Sequence, residues 1–129
     1  MQIKKLTPNL VVRNVEDSLK FYSEILGLEK AISVPDQSPY VFASVGNGSV
    51  EIFFNDQNTV AAEYPKLAAT IGGSLTLYME VNDLQAVLDR VQKAGAKIAM
   101  PLTEQFYGMR EFAFEDGDGY TITVAQRMG

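Results

Sequence analysis

The sequence contains no histidine and no cysteine among its 129 residues. Without imidazole, neither a Ser-His-Asp nor a Cys-His nucleophilic arrangement can be assembled. Without thiols there are no disulfides, no thiolate nucleophile and no Cys-ligated metal. Long apolar runs are missing too. None approaches the ~18 residues of a membrane span, and Met1 to Pro8 is too poor in apolar residues for a signal peptide. The expectation is therefore a cytoplasmic chain with no membrane partner. Basic residues are the scarcer charge: eleven Lys and Arg stand against sixteen Asp and Glu, a net charge of -5. That argues against nucleic acid as a partner, since such binding rests on clustered Lys and Arg. It is compatible with a cationic or neutral small ligand.

What is present occurs twice. Val12-Arg13-Asn14-Val15-Glu16-Asp17-Ser18-Leu19 returns in outline as Val81-Asn82-Asp83-Leu84-Gln85-Ala86-Val87-Leu88. In each copy a strand-like run meets a capping residue, Asn14 or Asp83, and turns into an amphipathic helix. The expected apolar stripes are Val15, Leu19, Tyr22 and Leu26 in the first helix and Leu84, Val87, Leu88 and Val91 in the second. Gly27 and Gly95 end the helices. Strand-like runs follow at 28–34, 40–45 and 49–54 in the first copy, and at 97–102, 109–115 and 120–125 in the second. Gly46-Asn47-Gly48 and Asp116-Gly117-Asp118-Gly119 are matching turn signals. With leading strands at 7–13 and 74–81, each copy reads β-α-β-β-β. Module one is placed at 5–54, a connector at 55–72 with a short helix interrupted by Pro65, and module two at 73–126.

The order and spacing of these segments resemble the vicinal oxygen chelate superfamily, the group of glyoxalases, bleomycin resistance proteins and extradiol dioxygenases. The resemblance is carried by Thr7 to Asn14 running into Phe21-Tyr22-Ser23-Glu24-Ile25-Leu26-Gly27-Leu28, by Tyr78 to Leu84, by Ala94-Gly95-Ala96, and by Gly108 to Phe112 leading to Asp116-Gly117-Asp118-Gly119-Tyr120. It implies an α+β fold of two βαβββ modules forming a paired, cup-shaped eight-stranded mixed sheet, with the helices on the outer face. It also implies a homodimer and a ligand cleft between the modules.

Enzymes of that family hold a divalent metal through His and Glu. By motif, the equivalent positions here are Thr7, Glu51, Thr76 and Thr123. Three hydroxyls and one carboxylate are a poor donor set for transition metals, which want imidazole, thiolate or carboxylate. Asp116 and Asp118 are explained by their turn. No metal or other cofactor is expected.

Acid–base work could still use a carboxylate, and Glu51 in Ser49-Val50-Glu51-Ile52-Phe53 is the candidate, or else a surface carboxylate paired with a nearby Lys or Arg. Arg110 could clamp an anionic ligand group, pair with Glu51, or lie on the surface. Tyr40, Phe53, Tyr78, Phe106 and Tyr107 could line a cleft beside Thr7, Thr76 and Thr123, or fill the core. The leading expectation is a metal-independent protein that binds a small organic molecule, with sequestration of a drug or metabolite as its use. The alternatives are a lyase or isomerase using Glu51, and a scaffold or regulatory domain with a filled cleft.

Overall fold

A computed structural model describes residues 1–129. The chain divides into two compact units, Met1–Ile71 and Gly72–Gly129. In the first, β1 (Asn9–Val12) leads into α1 (Val15–Leu26). β2 (Glu29–Val34), β3 (Phe42–Gly46) and β4 (Glu51–Asp56) follow, then two short helices, α2 (Gln57–Glu63) and α3 (Pro65–Ala69). The second unit runs β5 (Thr76–Glu80), α4 (Leu84–Ala94), β6 (Ile98–Glu104), β7 (Met109–Glu115) and β8 (Thr121–Arg127). The eight expected strands are thus present, divided into two four-stranded sheets of order β1-β4-β3-β2 and β5-β8-β7-β6. In both, the leading strand pairs in parallel with the last, and the other pairings are antiparallel.

The helix boundaries follow their sequence signals. The Asn14 side chain accepts from the Asp17 N–H at 2.8 Å, and Asp83 accepts from the Ala86 N–H at 3.1 Å. Gly27 and Gly95 close the helices with φ of 68° and 71°, a left-handed conformation that costs glycine nothing. The turns match as well. Asn47 Oδ1 accepts from the Ser49 and Val50 N–H groups; Asp116 Oδ1 accepts from those of Asp118 and Tyr120, each at 2.9 Å. Pro65 does interrupt the connector: α2 stops at Glu63, and Pro65 opens α3, where its missing N–H costs no bond.

The helix stripes need correction. In α1 the buried residues are Val15, Ser18, Tyr22 and Ile25. Leu19 and Leu26 lie at the edge of this face, half-buried. The true stripe is rotated because α1 packs on β2, β3 and β4, with the Tyr22 ring against Phe54 at 4.9 Å between centroids. In α4 the buried set is Leu84, Val87 and Val91, and Leu88 is half-buried.

Strand alternation then sorts each sheet into two faces. In the first unit Leu10, Ala43, Val45, Ile52 and Phe54 share the helix side, as the register and the Tyr22–Phe54 contact require. Glu51, Phe53 and Ser44 fall on the other side. In the second unit Phe112, Phe114, Ile122 and Val124 form the buried helix side. Tyr78, Glu111 and Thr123 stand on the face away from α4.

Candidate functional site

The face of the second sheet away from α4 gathers a titratable cluster. Tyr78 lies on β5, Thr123 beside it on β8, and Ala113 beside that on β7. Glu111 is opposite Ala125. One strand, β8, lies between β5 and β7, so Tyr78 and Glu111 stand on strands about 9.6 Å apart, a gap that the two side chains close by reaching toward each other over small residues. Thr123, Ala113 and Ala125 are those small residues. The Tyr78 hydroxyl donates to Glu111 Oε2. Tyr107, from the β6–β7 hairpin, brings its hydroxyl within 2.8 Å of both Glu111 oxygens. Gln105 Nε2 is a longer donor to Oε1 at 3.4 Å.

Glu111 is 3% exposed, whereas Tyr78 and Tyr107 keep 51% and 49% of their surface. All the groups bonded to this buried carboxylate are neutral. The hydrogen bond to Glu111 chiefly pushes the Tyr78 phenol up to about 12, with burial and the carboxylate charge adding to it. Tyr107 is raised for the same reasons in the same order. Both phenols therefore remain protonated donors at neutral pH.

Beside this cluster the Thr76 and Thr123 hydroxyls are bonded to each other at 2.7 Å, and Thr76 also reaches the Thr121 carbonyl at 3.2 Å. Glu51, in the first unit, is half-buried and ion-paired with Lys5. Thr7 is half-buried just ahead of β1. Strand register relates these motif positions across the two units. Asn9 and Tyr78 each stand five residues before their helix cap, and they pair with Phe53 and Thr123 respectively. The first-unit counterpart of Thr123 is thus Phe53, and the second-unit counterpart of Glu51 is Thr121. No three acidic side chains in the chain converge on a point. The donor set does not fit a divalent metal.

The remaining candidates take no part in the hydrogen bonds to Glu111. Phe53 packs edge-to-face on Phe42, with centroids 5.1 Å apart. Tyr40 lies in the β2–β3 loop with Lys30 Nζ 4.9 Å above its ring, and its N–H donates to Glu16. Phe106 is 98% exposed at the hairpin tip, edge-on to Tyr107. The cation paired with Glu51 is Lys5, and Arg110 lies on β7. One residue from Glu111, it points to the opposite face and lines a cavity of about 70 Å³ with Asp83, Leu84, Leu88, Leu102 and Gln126. Glu111 itself was missed from sequence. In Met109-Arg110-Glu111-Phe112-Ala113-Phe114 it interrupts a buried strand, and an acid among residues this apolar is the signal that could have found it.

The comparisons agree with this fold. The family model described as Glyoxalase/Bleomycin resistance protein/Dioxygenase superfamily matches residues 3–124. The fold is similar to that of TioX from Micromonospora sp. ML1, with TM-score 0.77 and 16% identity over 98% of this chain and 100% of that one. It is also similar to a glyoxalase/bleomycin resistance protein/dioxygenase superfamily member from Sphaerobacter thermophilus DSM 20745, with TM-score 0.76 and 19% identity over 97% and 98%. A protein of unknown function from Agrobacterium tumefaciens str. C58 has TM-score 0.78 and 22% identity over 99% and 97%. No curated protein matches the sequence.

Proposed function

Since the chain belongs to the glyoxalase/bleomycin resistance protein/dioxygenase superfamily, we propose that it is a member that binds a small organic molecule without a metal ion, on the sheet face carrying Tyr78, Tyr107 and Glu111. The observation behind this reading is the fate of the motif positions. Thr76 and Thr123 satisfy each other, and Glu51 is engaged by Lys5. Neutral hydroxyls do not replace the water shell of a transition metal. Next to them, half-exposed phenols and a buried carboxylate offer apolar surface with a few directed polar groups, which is the usual make-up of a small-molecule site. Sequestration needs nothing more, because holding a molecule requires no acid–base group.

A thermal-shift screen of small organic compounds, run with and without EDTA, tests the reading. Binding to the folded state raises the melting temperature by mass action. The expected result is compounds that raise it equally in both conditions, with no stoichiometric metal by elemental analysis. One equivalent of metal, or a shift lost on chelation, would refute metal independence. The proposal includes a homodimer, supported by the exposed Ile32 and Val34 on edge strand β2. Light scattering giving only the monomer mass would remove that part.

A further inference from the structure

We propose that Tyr78, Tyr107 and Glu111 form a recognition site for a small organic cation, a quaternary or protonated amine. This names the ligand class for the site of the preceding section and rests on that reading. Glu111 is 3% exposed, and every group bonded to it is neutral. Its neighbour Arg110 lies on the opposite sheet face. A buried carboxylate costs several kcal/mol to desolvate, and the folded state recovers most when a cation approaches. Here the phenols stabilise the anion without neutralising it.

The second observation is aromatic. Tyr78 and Tyr107 converge on the one carboxylate yet leave about half of their own surface open. Ring surface next to a carboxylate is the combination that attracts an ammonium group, through the ring quadrupole and the full charge together. The nearly naked Phe106 ring beside Tyr107 extends the aromatic surface. A cation–ring contact within the chain, Lys30 over Tyr40, lies at a different strand pair. A metal ion is not the occupant this cluster suits, since it offers one carboxylate and two neutral phenols. Anionic ligands are repelled, and the net charge of -5 adds to that sign preference.

The test uses the full chain and a pair of probes of one shape and two charges, choline and 3,3-dimethyl-1-butanol, followed by calorimetry or ligand NMR. Choline is expected to bind at least about tenfold more tightly than the neutral alcohol, the factor that a partly desolvated cation–ring contact supplies. Glu111→Gln keeps the shape and most of the hydrogen bonds. It is expected to lose that tenfold preference while the exposed control Glu24→Gln keeps it. Should Glu111→Gln fail to fold, Tyr107→Leu at the hairpin is expected to weaken choline several-fold. n-Butylammonium in place of choline decides between a quaternary and a protonated amine. Equal affinity for choline and the alcohol, or choline binding unchanged in Glu111→Gln or in Tyr107→Leu, overturns the proposal. If neutral or anionic compounds bind this face while both ammonium probes do not, the cation inference fails and the small-molecule reading survives. If no compound of any charge binds, both fail.

Discussion

Glu51 of the first unit and Glu111 of the second both stand on the sheet face away from the long helix, α1 or α4, but their surroundings are opposite. Glu51 is half-buried and meets Lys5, whose side chain is 63% exposed. Glu111 is buried and meets two phenols and an amide. The register shows that the first-unit counterpart of Glu111 is Phe42, which packs on Phe53. One sheet therefore carries an aromatic stack where its partner carries an anion. The helix-side faces are alike: Phe54 and Ile52 in one unit, Phe114, Phe112 and Ile122 in the other, all at most 2% exposed. The shared architecture resides in the helix side, and the chemistry that differs resides on the other.

If the helix sides are equivalent cores, Phe54→Ala and Phe114→Ala should each cost about 3–5 kcal/mol in urea denaturation. A loss under about 1 kcal/mol in one and not the other would mean that the two units are not held together in the same way.

The next expected effect concerns the phenols. Ultraviolet titration should show Tyr78 ionising near the value of about 12 and Tyr107 above the ordinary phenol range. In Glu111→Gln both should fall back toward about 10, while Glu51→Gln leaves them in place. The raised phenol makes stability depend on alkaline pH. Below about pH 10 both states hold the Tyr78 proton and its contribution is complete. Between about 10 and 12 the unfolded chain releases that proton and the folded chain keeps it, so stability declines with rising pH. An unchanged alkaline limb in Tyr78→Phe would contradict the bond to Glu111.

The smallest effect belongs to the other carboxylate. Lys5→Ala should change stability by no more than about 1 kcal/mol, because an exposed partner is solvated and screened. A larger loss would make Glu51 as dependent on its partner as Glu111 is on its phenols.

The architecture was legible because its signals are local. Asn14, Asp83, Gly27 and Gly95 mark helix ends through bonds to residues three or four positions away, and the two turns are set by Asn47 and Asp116 in the same manner. The helix faces were legible only approximately. Leu19 and Ser18 compete for the buried position, and hydrophobicity favours the leucine. The contact with Phe54 turns Tyr22 inward and Leu19 to the edge.

Of the candidate residues, Tyr78 and Tyr107 were named for their type alone, as aromatics able to line a cleft. Nothing in their spacing joins them to each other or to Glu111, because the bonds cross from β5 over β8 to β7 and back from a hairpin. Composition and local pattern were enough for two β-α-β-β-β halves and for the absence of histidine and cysteine chemistry. Which carboxylate meets a lysine and which meets two phenols depends on strand order and register. Those place residues 33 positions apart in contact and, by alternation, send Arg110 and Glu111 to opposite faces of one sheet.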